Sequence, residues 1–303
     1  MTHEIGFQSP GSGASQSAIY DGTDRASVLP GGTVALPLLS LFSRSTSTGR
    51  FETRAEMLQS FRLSPSTRVI LTGVAEDTAI ERWWFFADRP RLIASLHTLG
   101  IELVTGPNYS LFTDVTRYDN FHNMKRIVLA WSEFMAGGIP CALHINGRND
   151  RDYDRWRAFV ANRDDVTSVS FEFTTGTSHH ERGQYHCDQL AKLARAAGRP
   201  LHLVLRGGRR YLQHLAAAFA CVTVIDADPY VRTKHRQRAR FTMGPATEWF
   251  ASQTAKGEPL DELLAHNVEV ARHSTLMRLA WLRANYGHAE AGHVSPLLEP
   301  SPA

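Results

Sequence analysis

The feature that most constrains this chain is a pattern that recurs along its middle. A short β-prone run is followed by an amphipathic helix, a Gly or Pro, and another β-prone run. The runs are Arg68–Gly73 (RVILTG), Glu102–Thr105 (ELVT), Ala142–Asn146 (ALHIN), Ser168–Phe173 (SVSFEF), Leu201–Arg206 (LHLVLR) and Val222–Asp226 (VTVID). Thr33–Leu36 (TVAL) is a seventh candidate. Strands separated by helices pair in parallel, because each crossover helix returns the chain to the same end of the sheet. The intervening helices are legible too. Phe121, Met124, Ile127, Val128, Trp131, Phe134 and Met135 recur in three- and four-residue steps, which places them on one helical stripe. Gly137-Gly138 then offers a left-handed cap free of a Cβ clash, and Pro140 opens the next strand.

Such a series closes as a barrel or lies as an open doubly wound sheet. The barrel is favoured, because polar residues alternate along the strands, whereas central strands of an open sheet are apolar on both faces. The expected fold is therefore α/β, a TIM-like (β/α) barrel. Seven strands are legible and the eighth is not, and a helical segment near residues 245–286 packs outside. Residues 1–28 are rich in Ser, Gly, Gln and Thr and read as a disordered arm. Residues 29–290 form one barrel-like domain, and 291–303 a flexible tail.

Cys141, Cys187 and Cys221 show no C-x-x-C spacing, which argues against a disulfide framework or a tetracysteine zinc site and suits a cytoplasmic setting. No apolar run approaches the roughly 18 residues of a spanning helix, so no membrane partner is expected. The net charge of +3 does not by itself demand an acidic partner.

Ligands of such folds bind at the carboxyl ends of the strands. Period-two counting places Ala142, His144 and Asn146 on one face of their strand, Ser168, Ser170 and Glu172 on another, then His202, Val204 and Arg206, then Val222, Val224 and Asp226. With the larger apolar faces against the helices, His144, Asn146, Glu172, Arg206 and Asp226 converge on one mouth. Interior charges are costly unless paired or working. The structural alternative is a network in which Arg206 holds Glu172 and Asp226.

Three loops add to this mouth. Gly106-Pro107-Asn108-Tyr109-Ser110 lets a ligand approach backbone N–H groups, or is simply a tight turn. Arg206-Gly207-Gly208-Arg209-Arg210 precedes a helix and suits a phosphate, without matching a Walker or dinucleotide fingerprint. Asp226-Ala227-Asp228-Pro229-Tyr230 leads into Arg232, Lys234, Arg236, Arg238 and Arg240. On a helix, Arg232, Arg236 and Arg240 would form one row, fit for a nucleic-acid backbone or for solvent. His179, His180, His186 and Cys187 fit no standard ligand spacing, so neither metal nor cofactor is expected.

From Gly106 to Phe173, the Tyr-Ser-Leu loop, the Arg-containing helix and the Gly-Ile-Pro step at Gly138–Pro140 resemble an uncharacterised family of bacterial and phage-borne domains. The segment Ile225-Asp226-Ala227-Asp228-Pro229-Tyr230-Val231-Arg232 is similar in type and order to a strand end of tRNA-guanine transglycosylases and their DNA-modifying relatives. That family's clustered zinc cysteines have no counterpart here, and Gly106–Ser110 stands in place of its Asp-Ser-Gly-Gly motif. The second resemblance implies a barrel with Asp226 as nucleophile on a ribosyl carbon.

The leading expectation is thus a base- or glycosyl-directed enzyme acting on a nucleotide or nucleic acid. Asp226, Glu172, Asp228 and His144 are its catalytic candidates. Arg206, Arg209, Arg232 and Arg236 would hold phosphate, with Asn108, Ser110 and Asn146 contacting the base or sugar. One alternative is a non-catalytic nucleic-acid-binding accessory protein of a phage or mobile element. Another is a hydrolase or lyase for a small phosphate-sugar metabolite.

Overall fold

In a computed structural model, residues 16–19, 26–29, 31–43, 48–174, 180–242, 247–254 and 257–286 are described. Eight parallel strands close into a barrel: β1 (Gln16–Ile19), β2 (Thr33–Pro37), β3 (Arg68–Thr72), β4 (Leu103–Thr105), β5 (Cys141–His144), β6 (Ser168–Glu172), β7 (His202–Arg206) and β8 (Cys221–Asp226). The helices are α1 (Arg54–Ser60), α2 (Asp77–Phe85), α3 (Arg89–Ser95), α4 (Arg117–Ala136), α5 (Asp150–Ala161), α6 (His180–Ala197), α7 (Leu212–Ala218), α8 (Asp228–Lys234) and α9 (Asp261–Tyr286). An antiparallel pair, β9 (Gln237–Arg240) and β10 (Glu248–Ala251), lies between α8 and α9. No helix among the described residues is long and apolar enough to cross a membrane.

Local chemistry sets the element ends. Thr53 and Glu56 form a reciprocal capping box on α1, and Asn149 accepts the Asp152 N–H at the start of α5. After α4 the left-handed residue is Gly138 (φ 73°), and Gly198 (φ 64°) follows α6 in the same way.

The missing eighth strand is the first in the chain. β1 pairs with β2 on one side and β8 on the other (Ala18 with Val34, Ser17 with Ile225), and so closes the barrel. It falls within the stretch that composition marked as a disordered arm, and that expectation is corrected at residues 16–19. A ladder is made of backbone groups, so a short polar segment between two finished edges can complete it.

The main core lies between sheet and helices. Trp83 stacks on Phe134 at 5.2 Å, and Phe42 and Phe86 pack against its indole. A second, smaller cluster fills the barrel: Ala35, Ile70, Leu103, Ala142, Val204 and Ile225. Its membership confirms the face assignments for β5 and β7 and reverses that for β8. Val204 pairs with Thr223, so Thr223 and Ile225 face inward, while Val222 and Val224 join the helix-side core. Every apolar residue of that strand is medium-sized, and size contrast gave no guide.

Two further corrections concern the C-terminal region. The basic stretch is not one helix: α8 ends at Lys234, Arg236 takes a left-handed φ of 53°, and the chain continues as β9. Arg232, Arg236 and Arg240 therefore do not form a row. The segment expected to be helical from residue 245 first supplies β10, and α9 begins at Asp261.

Candidate active site at the barrel mouth

The carboxyl ends of β3 and β4 approach each other closely. The Gly73 N–H donates to Thr105 O at 3.0 Å, and a Cβ on Gly73 would lie 2.5 Å from that oxygen. This brings the Val74–Ala75 turn to the rim, opposite β7. Across the opening, four groups form a ring of hydrogen bonds closed by an ion pair. Arg206 Nη1 donates to Val74 O at 3.3 Å and lies 3.6 Å from Glu172 Oε1. Asn108 Nδ2 donates to Glu172 Oε2 at 3.1 Å, and Asn108 Oδ1 accepts the Ala75 N–H at 3.1 Å. The Thr174 hydroxyl also donates to Glu172.

Glu172, whose side chain is 9% exposed, is thus a carboxylate held by two neutral donors and one cation. Arg206 Nε is buried without a partner among the described residues, leaving a donor unused at the mouth.

Below the ring, His144 is buried and its Nδ1 lies 3.4 Å from Ser170 Oγ. Burial pushes the His144 pKa down to about 4, so its imidazole is neutral at physiological pH. His202, one layer deeper, contacts Thr223 Oγ1 at 2.9 Å and is likewise lowered to about 4 by burial.

The remaining expected site residues divide. Asn146 donates to Tyr109 O at 3.1 Å, and the Ser110 hydroxyl donates to Asp77 at 2.8 Å; both fix the loop after β4. Asp226 is buried on the rim between β7 and β8, where it accepts from Arg209 Nη1 at 3.1 Å and from the Asp228 N–H at 3.0 Å. The foreseen Arg206–Glu172 contact is present, whereas Asp226 is held by Arg209. Asp228 is exposed at the start of α8. Arg232 bonds Gln237 and Arg236 bonds Thr254, so neither is brought to the mouth by these contacts.

Thr174 and the Val74–Ala75 backbone were missed by sequence reasoning, and the only signal for the latter was Gly73 after a β-prone run. Of the histidine-rich segment, residues 175–179 lie outside the described residues. His186 is buried on α6 and contacts Tyr153 Oη at 2.6 Å. Among the described residues no group of three or more His, Cys, Asp or Glu side chains is placed to hold a metal. A separate cleft of about 630 Å³ lies away from the mouth, between α8, the start of α9 and the Arg62 turn.

The chain matches no protein-family model and no curated protein sequence. A solved structure of L-ribulose 3-epimerase is similar to it, with a TM-score of 0.46 and 11% identity, covering 93% of this chain and 100% of that one.

Proposed function

We propose that this protein is an enzyme acting on a small, anionic, hydroxyl-bearing metabolite of the phosphate-sugar class, with the barrel mouth as its active site. The observation that carries this reading is the nearly buried Glu172 carboxylate, fixed by Asn108 and Thr174 beside the Arg206 guanidinium. In barrels of this kind active sites stand at the carboxyl ends of the strands. A preset carboxylate beside a cation suits proton transfer. Glu172 takes a proton from the substrate, and the negative charge left on oxygen faces Arg206. Neutral His144 lies beneath as a hydrogen-bonding group, since burial lowers its pKa to about 4.

The nucleoside-directed reading with Asp226 as nucleophile receives less support. Asp226 shares the parity of Val222 and Val224, and both of its oxygens are engaged on the rim.

The test is a panel of aldose phosphates, ketose phosphates and nucleoside monophosphates, scored by melting-temperature shift and then by turnover. At least one sugar phosphate should raise the melting temperature of the wild type but not of Arg206→Met. Its turnover should fall about 10²–10⁴-fold in Glu172→Gln while that variant stays folded. A shift that survives in Arg206→Met, turnover that survives in Glu172→Gln, or no shift by any sugar phosphate would overturn the proposal.

A further inference from the structure

The basic segment that is not a helix builds a different surface. In the β9–β10 ribbon, Arg240 pairs with Glu248, Ala239 with Trp249, and Arg238 with Phe250. Alternation along each strand turns Ala239 toward α9, where it is buried and its N–H donates to Asn267 Oδ1 at 2.7 Å. The other face of the ribbon carries Arg238, Arg240 and Phe250, all exposed, with Glu248 beside them. The Arg240 guanidinium lies 4.2 Å from the Phe250 ring centre. Phe241, just past β9, has the parity of Ala239 and packs edge-on to His273 on the α9 side of the ribbon. The segment before β10 also reaches the barrel rim, where Thr247 accepts from Arg209 at 3.4 Å.

Charge is one-sided here. From Asp228 to Arg240 the sequence holds Arg232, Lys234, Arg236, Arg238 and Arg240 against the single carboxylate of Asp228. Arg232, Arg238 and Arg240 contact Gln237, His266 and Phe250, all neutral or titratable partners rather than carboxylates. The carboxylate on this face, Glu248 opposite Arg240, makes no ion pair with it among the described residues, so the charge of these arginines is available to an outside anion.

We infer that the outer face of this ribbon binds single-stranded nucleic acid. Arg238 and Arg240 would hold successive phosphates, and Phe250 would offer the ring face not covered by Arg240 to an unpaired base. A surface that sets cations beside an exposed aromatic ring meets both halves of such a strand, the charged backbone and the flat bases. A duplex hides its base faces, and an acidic peptide has none, so both would leave the Phe250 ring unused. This inference is independent of the proposed reaction, because it is read by binding alone.

The experiment is fluorescence anisotropy on the full chain with labelled oligonucleotides about 12 residues long. Single-stranded DNA, single-stranded RNA, a duplex of the same sequence and polyglutamate are the probes. Binding to a single strand should fall about 7-fold between about 50 and 200 mM salt, as expected for two neutralised phosphates. Arg238→Ala/Arg240→Ala should remove most of that salt dependence. Phe250→Ala should weaken binding about 5-fold or more at both salts, and Phe250→Trp should restore it. Preference for RNA or for DNA would identify the source of the strand. Three results would overturn the inference: no single-strand binding at low salt, equal binding of duplex or polyglutamate, or variants that melt and bind like the wild type.

Discussion

His144, His186 and His202 lie within the barrel or against it, and burial lowers the pKa of each to about 4. For His186 the nearby charges of Arg148 and Arg182 add to the effect, whereas Glu102 partly opposes it for His202. In the unfolded chain these groups titrate near 6.5. Between those values the unfolded state binds protons that the folded state refuses, so stability falls as the pH drops through this window. The slope is about 1.4 kcal/mol per pH unit per histidine. From pH 7 to pH 5 the loss is about 2 kcal/mol for each group, or about 6 kcal/mol for three acting independently. That is a large share of the roughly 5–15 kcal/mol by which a domain is ordinarily stable. Urea unfolding at the two pH values measures it. His202→Gln carries no titrating charge, so its loss over the same interval should be about 2 kcal/mol smaller than that of the wild type. Carboxylates titrate equally in both proteins and cancel in this difference. Equal losses in the wild type, His202→Gln and His144→Gln would refute the reasoning.

Two other substitutions test the framework of the mouth and the core. Gly73→Ala sets a Cβ 2.5 Å from Thr105 O and 2.7 Å from Gly106 C, both backbone, so it should cost about 2 kcal/mol or more in urea unfolding. It should also displace the Val74–Ala75 turn and lower turnover by the mouth. Trp83→Ala removes a side chain that is 1% exposed and stacked on Phe134, and should cost about 3–5 kcal/mol in the same assay.

Much of this protein is determined locally. The β-prone runs became β2 through β8 within a residue or two at most ends, and the Gly138 cap stands where Gly137-Gly138 announced it. Alternation along β6 and β7 put Glu172 and Arg206 on inward faces, and their contact was legible before any packing was known. These features depend on side-chain period and backbone freedom, which neighbours in sequence supply.

Other features were decided only by the tertiary structure. β1 is recognised by the open edges of β2 and β8, which lie far from it in sequence or beyond a long turn, and no apolar pattern in Gln16–Ile19 marks it. The orientation of β8 follows from its register with β7, and it moved Asp226 from the mouth to a rim contact with Arg209. Asn108 gains its role because the loop after β4 meets Glu172 and Ala75 across the opening. Arg238 and Arg240 enter a ribbon because Arg236 leaves the helical path with a left-handed φ and Asn267 of α9 bonds Ala239. In each case the deciding bond joins groups distant along the chain. A sequence states which groups can bond; the closed barrel brings together the ones that do.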